Sequence, residues 1–319
     1  MRPRPVPDSQ PRRVYPLDPA LPVTPKRVLV VWWSQSGQLR TVAEAFAQPF
    51  SDAGHEVAYV QLEPTRPFPF PWKVHTFFGE FPETVLLRPG PIERLSLPPG
   101  EWDLVVLASQ IWFLSPSQPF TALMSGPDRE LVRGKRVITL ISCRNMWVRG
   151  WRRLVGMVEA AGGTVTDRIV ATHSGSVFAS YFTTLAWMLT GKRDAIKALP
   201  AAGLGAETFV HLAAFGRIAA LRLAEGVEGP LLAGETTAGL SYPHAFGEQA
   251  VGWLFPVFGA IISAVSRPGT VIRNLSAVAL LCFILSTVIG LFVPCVIVER
   301  LFRRWIDPWL DRRASLPVS

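Results

Sequence analysis

The chain has 319 residues, a formal net charge of +8, a charged fraction of only 18% and a mean hydropathy of +0.27. That length carries one large domain, or a domain with an accessory region, and so small a charged fraction indicates that part of the chain lives in lipid. The three cysteines, Cys143, Cys282 and Cys295, have no C-x-x-C spacing and the five histidines form no ligand cluster. This argues against a disulfide framework and a zinc site, and fits a reducing compartment with no metal.

Residues 1–25 are rich in proline and arginine and contain no apolar run. They read as a flexible basic tail, able to touch anionic lipid, and not as a signal peptide. From 26 to 173, apolar runs alternate with helical patterns. RVLVVWW (27–33), HEVAYVQL (55–62), WDLVVLAS (102–109), KRVITLIS (135–142) and TVTDRIVAT (164–172) read as strands. Helices are expected over 39–53, 119–124 and 147–161, the last ended by Gly162 and Gly163. Near-continuous Val/Ile/Leu runs separated by helices predict an α/β fold, a doubly wound five-stranded parallel sheet covered on both faces. A proline-rich excursion over 64–87 stands where a plain crossover helix is expected and reads as covering one face or bordering the site.

Residues 174–248 read as a helical connecting region, with an apolar segment over 176–191 and an amphipathic helix over 207–224. Its Tyr181, Trp187 and His211 are irregularly spaced, which favours packing over a role in closing a site. Two hydrophobic segments follow, 249–265 and 275–298, the second without a charge for 24 residues. Such a stretch is long enough to span a bilayer. Arg300, Arg303, Arg304, Arg312 and Arg313 then favour a cytoplasmic tail over 299–319. With the sheet domain also cytoplasmic, the expectation is a transmembrane hairpin over 249–298, its short outer loop at 266–274.

The functional signal begins with SQSGQL, residues 34–39, between the first strand and its helix. Ser34 and Ser36 offer hydroxyls, Gln35 and Gln38 amides, and Gly37 lets the backbone approach closely, where a helix N-terminus stabilises an anion. An ordinary turn with Ser36 as N-cap is the plainer alternative. The third strand runs into Ser109, Gln110, Ile111, Trp112 and Phe113, and the fourth into Ser142, Cys143, Arg144, Asn145 and Trp147, with Trp151 beyond. One hydroxyl-rich loop and two aromatic ones at the same sheet end can hold a phosphate and enclose a flat ring, the chemistry of a flavin mononucleotide (FMN) site.

On these residues the stretch 26–173 resembles the flavodoxin-like family, whose phosphate loop commonly reads T/S-x-T-G-x-T. Ser34, Ser36 and Gly37 match that pattern. Leu39 stands at the last hydroxyl position, so one phosphate contact is missing unless Arg40 or Thr41 compensates. Together with IWFLSPS and the hydrophobic C-terminal extension, SQSGQL is similar to bacterial flavodoxin-like proteins labelled "dialkylresorcinol condensing enzyme". That resemblance implies a part in dialkylresorcinol or aryl-polyene lipid synthesis at the bacterial inner membrane, alongside lipid- or polyketide-synthesis enzymes.

Three functions follow as expectations. The first is a membrane-anchored flavin oxidoreductase, taking electrons from NAD(P)H or a protein donor and passing them to a hydrophobic quinone or lipid intermediate. The second is a flavin-free assembly protein, favoured by Leu39 in the phosphate loop. The third is a condensing enzyme with Cys143 as nucleophile and His173 on the same rim. No G-x-S-x-G elbow points to a hydrolase. The arginines flank the hydrophobic segments and the N-terminus, which suits lipid headgroups and not nucleic acid.

Overall fold

The computed structural model describes residues 25–173, 177–194, 196–235 and 237–316. The basic tail expected over 1–25 lies outside these up to residue 24. The strands are β1 (Arg27–Trp32), β2 (Glu56–Gln61), β3 (Leu104–Trp112), β4 (Ser115–Pro116), β5 (Arg136–Cys143) and β6 (Thr164–Thr172). Five of them form one parallel sheet in the order β2-β1-β3-β5-β6, and the two-residue β4 folds back antiparallel on the end of β3. In register, Val31 lies between Val60 and Leu107, and Leu107 lies opposite Thr139.

Alternation along each strand divides the core. Val28 and Val30 of β1 face one layer, with Val106, Ile138 and Ile169, while Leu29 and Val31 face the other, with Val105, Leu107 and Ile141. The first layer is closed by α1 (Gln38–Asp52) and by a helix from beyond the expected domain boundary, Ala206–Ala224. These two helices meet so closely that a Cβ on Gly216 would collide with the Phe46 carbonyl oxygen. The boundary at 173 therefore cuts off the closing helix of the sheet domain. Asp167 on β6 reinforces this, accepting the backbone N–H groups of Leu231 (3.0 Å) and Leu232 (2.8 Å).

The other layer is covered by α4 (Gln118–Ser125) and α5 (Val148–Ala160), and the excursion between β2 and β3 folds into two short helices, α2 (Val74–Gly79) and α3 (Phe81–Val85). After β6 come α6 (Val177–Thr190), α7 (the Ala206–Ala224 helix), α8 (Tyr242–Val251), α9 (Leu254–Val265) and α10 (Val271–Ala314), the last interrupted at Phe302. Gly259 brings α9 down onto Val85 and Leu86.

The structure does not confirm the expected transmembrane hairpin. Arg273, in the would-be outer loop, donates to both Glu83 carboxylate oxygens at 3.1 Å and to the Gly79 carbonyl at 3.2 Å. At the far end of α10, Arg152 donates to the Arg312 and Arg313 carbonyls at 2.7 Å. Both ends of α10 are thus fastened to the same domain. Among the described residues no single helix is long and apolar enough to cross a membrane; α8 and α9, bent by 43°, pass together by length and composition.

Candidate functional site

A cavity of about 320 Å³ opens at the carboxyl ends of the parallel strands. It lies where the strand order reverses, between β1 and β3, the place an open α/β sheet presents to a ligand. Its floor is drawn from all three loops singled out by sequence. From the first come Gln35, Ser36 and Gln38; from the second Gln110, Ile111, Trp112 and Phe113; from the third Ser142, Cys143, Arg144 and Asn145.

The first loop turns as it does because Gly37 adopts a left-handed conformation (φ 83°) as the N-cap of α1, with no side-chain cap. Ser36 is therefore not the cap, and it lines the cavity instead. Ser34 does the capping from behind, its hydroxyl accepting the Leu39 N–H at 3.0 Å. Leu39 itself is fully buried in the α1–α7 layer and holds nothing in the cavity. Nor do the two residues expected to replace its missing hydroxyl. Arg40 pairs with Glu44 at 2.8 Å, and the Thr41 hydroxyl donates to the Gln38 carbonyl at 2.7 Å. The amide nitrogen of Gln35 is buried without a hydrogen-bond partner. Such an orphaned donor in a cavity wall marks the place for an acceptor.

The second loop is aromatic and strained. Phe113 and Leu114 are left-handed (φ 47° and 59°), as is Met146 (φ 57°) in the third loop, and all three line the cavity. Non-glycine residues held there cost about 1–3 kcal/mol each and concentrate at functional sites. Trp112 packs edge-on against Trp33 and Phe68, and its indole N–H donates to Gln110 Oε1 at 3.3 Å. Ser109 lies below the rim, fully buried.

The third loop bears on two expectations. Trp147 does not face the cavity: it is buried in the core, edge-on to Trp151, with Arg168 stacked over both rings, and its N–H donates to the Gly239 carbonyl at 3.3 Å. Cys143 lines the cavity, but burial, reinforced by the Glu248 carboxyl, raises its thiol far above the ordinary range. Its supposed base is also unsuitable. His173 is held by Thr184 Oγ1 at 3.2 Å through Nδ1, and burial, with Arg144 and Arg193 nearby, lowers it to about 4. What joins the two residues is a backbone hydrogen bond, His173 N–H to the Cys143 carbonyl at 3.1 Å. Burial that holds the thiol protonated and the imidazole neutral does not favour a thiolate nucleophile, so this environment lends the expected role of Cys143 in condensation no support.

Of the rest of the cavity, the sequence suggested only that the excursion over 64–87 borders the site, and it named none of its residues. Phe70, Phe77 and Phe78 come from the proline-rich excursion, and Phe182, Thr184, Leu185, Trp187 and Met188 from α6. Trp187, expected only to pack, forms part of the wall, edge-on to Phe70. Val251, Phe255 and Phe283 complete the lining. His211 sits on α7 beside Glu207, away from the cavity. Glu248 reaches from α8 to accept the Val148 N–H (3.3 Å) and the Arg149 N–H, capping α5 just behind the third loop.

A parallel sheet ordered 2-1-3-4-5 by its parallel strands, with its cavity at the β1/β3 reversal, decides the architecture. The fold is flavodoxin-like. Among solved structures, a WrbA-like flavodoxin from Agrobacterium tumefaciens is 12% identical, covering 63% of this chain and 98% of that one (TM-score 0.36). A flavodoxin from the domain Archaea is 14% identical over 47% and 87% (TM-score 0.29), and an azoreductase from Bacillus anthracis 12% identical over 60% and 99% (TM-score 0.33). No family model and no curated protein matches the chain. Within this flavodoxin-like fold the cavity residues suit FMN. Gln35, Ser36, Gln38 and Arg144 are among the lining donors, as a phosphate requires, and Trp112, Phe113 and Trp187 supply flat apolar walls, as a ring requires.

Proposed function

We propose that the chain is an FMN-dependent oxidoreductase that draws electrons from NAD(P)H or a protein donor and delivers them to a hydrophobic substrate of the quinone or lipid-intermediate class. The observation that carries this reading is the cavity lining, which joins the donors Gln35, Ser36 and Gln38 of the first loop to apolar side chains that include Val251, Phe255 and Phe283. When bound, FMN supplies hydride acceptance and donation, so no acid–base dyad is asked of the protein. The chain's own part is to hold and to exclude. Ser36, Gln38 and the Gln35 amide take the phosphate, and Arg144 neutralises its charge. Trp112 and Trp187 bound the ring, and Phe77, Phe78 and Phe255 keep water from the reacting face.

The same reading places the protein at the inner face of a bacterial cytoplasmic membrane, with its sheet domain in the cytoplasm and membrane lipid as a partner. There it would act in dialkylresorcinol or aryl-polyene lipid synthesis beside lipid- or polyketide-synthesis enzymes. The deciding measurement is the visible spectrum of the full chain in mild detergent, before and after addition of FMN. Flavin bands that stay with the protein through a sizing column and bleach with NADH or NADPH are the expected result. A chain that stays colourless after loading overturns the reading and favours a flavin-free assembly role, to which the occupation of Ser34 by the Leu39 N–H already lends support.

A further inference from the structure

Exposed apolar side chains on this protein are not scattered. Of the seventeen large ones exposed among the described residues, thirteen lie between Trp253 and Trp305, so they concentrate on α9 and α10. On α9 the outward positions are Trp253, Val257, Ile261 and Val265, four residues apart and so in one strip along the helix. Leu275 and Leu301 continue the patch at either end of the apolar part of α10, both more than 60% exposed, at 66% and 70%.

The exposed charge along α9 and α10 is mainly positive, with Asp311 the exposed carboxylate among the described residues. From 249 to 306 the one carboxylate is Glu299, which is buried, whereas Arg267, Arg300, Arg303 and Arg304 are exposed. An apolar strip accompanied by exposed arginines in excess of exposed acid is the complement of an anionic lipid surface. The fastening of both ends of α10, through Arg273–Glu83 and through Arg152, holds the strip flat against the domain. Helix α9 is also the wall between that surface and the cavity. Phe255 lines the cavity while Val257 and Ile261 face outward, and Phe258 meets Phe283 of α10 at 4.7 Å between ring centres.

We propose that α9 and α10 form a monotopic docking face lying in the plane of an anionic leaflet, and that the cavity receives its lipophilic substrate laterally, between α9 and α10, from that leaflet. The lateral route rests on the oxidoreductase reading; the docking face does not.

The test is sedimentation of the full chain with vesicles of phosphatidylcholine alone and of phosphatidylcholine with phosphatidylglycerol, run on flavin-free and FMN-treated protein alike. Binding to the anionic vesicles is expected in both forms, so that failure to bind flavin is read separately. The double variant Val257→Glu, Ile261→Glu is expected to abolish binding. Arg303→Gln with Arg304→Gln is expected to weaken it roughly thirtyfold, as the loss of two basic side chains near a charged surface implies. Orientation is read in inside-out membrane vesicles in a Cys282→Ser background. An impermeant maleimide should label Pro268→Cys as fully as Ser51→Cys on the sheet domain. Protection of Pro268→Cys alone means a true spanning hairpin and overturns the proposal. So does a chain that ignores both vesicle types and runs as a dimer, which assigns the face to a second copy.

Discussion

The guanidinium of Arg273 and the carboxylate of Glu83 meet in a two-pronged pair, Nη1 on Oε2 and Nη2 on Oε1, each at 3.1 Å, with the arginine only 3% exposed. The two residues are 190 positions apart in the chain. The pair joins the start of α10 to α3, so the hydrophobic C-terminal part and the excursion that lines the cavity form one body. Truncating one partner leaves the other buried and uncompensated, which typically costs about 3–5 kcal/mol. Arg273→Ala is therefore expected to lower the denaturation midpoint by an amount in that range, reduced by the partial exposure of Glu83. A loss below about 1 kcal/mol would mean that α10 is not held there.

Two glycines should respond to alanine with opposite signs. At Gly216 a methyl group would meet the Phe46 carbonyl oxygen, a backbone atom that cannot turn aside. Gly216→Ala is expected to cost roughly 1–3 kcal/mol by forcing α7 away from α1. At Gly156, inside α5, nothing lies within 4 Å of the added atom. There alanine should stabilise by roughly 0.5–1 kcal/mol, because a helix interior penalises glycine. Urea titration of both variants checks the pair.

The buried thiol of Cys143 leads to a negative result. Because burial holds it protonated, the wild-type protein should react slowly with iodoacetamide at Cys143 in the native state and rapidly after unfolding. Cys143→Ala should keep its flavin and its reductase activity within a few-fold. Complete loss of activity with the flavin still bound would restore a chemical role to the thiol.

Stability should depend on pH in two opposed ways. His173 and His244 are both lowered to about 4 by burial, below their ordinary 6.5. Their contribution is fully present above pH 6.5 and is lost as pH falls through 4, since the unfolded chain takes up protons that the folded one refuses. Glu248 is raised to about 8 from 4.5 by burial, against the two backbone N–H groups it accepts. Its contribution is present below pH 4.5 and is lost as pH rises through 8. Of these three groups, only Glu248 gives a slope between 6.5 and 8, and it is a downward one. Glu248→Gln should flatten it, and an unchanged slope would show that another group titrates there.

Ser36→Ala removes one hydroxyl donor from the phosphate end of the cavity. A hydrogen bond to a charged group contributes about 1.5–3 kcal/mol, so FMN should bind at least roughly tenfold more weakly, by quenching of flavin fluorescence. Arg40→Gln serves as the control, because Arg40 is engaged with Glu44 on the surface of α1. Equal losses in both variants would place the phosphate elsewhere.

Much of the architecture was readable in the sequence because it depends on local pattern. The five apolar runs became the five parallel strands within one or two residues, except that β3 extends to Trp112, where β4 folds back on it. The inward turn of Leu39 was present in the pattern Leu39, Val42, Ala43 and Phe46, which is one face of a helix. Trp147 and Trp151, four residues apart with Leu154 and Val155 beyond, likewise make a core stripe, and not the rim of a site.

By itself, then, the sequence determined the layers of this protein and the donor-rich turn at the start of α1, since apolar period and helix-end chemistry are properties of neighbouring residues. Only the tertiary structure decided which aromatic rings face the cavity, that α7 closes the sheet, and that α10 is tied to the sheet domain at Arg273 and at Arg312 and Arg313. Each of these depends on contacts between distant segments: Phe46 with Gly216, Phe70 with Trp187, Glu83 with Arg273. Hydropathy measures what a segment would bury, but only a partner surface, here α2 and α3 against Ala277 and Leu280 of α10, shows which of its side chains pack on protein.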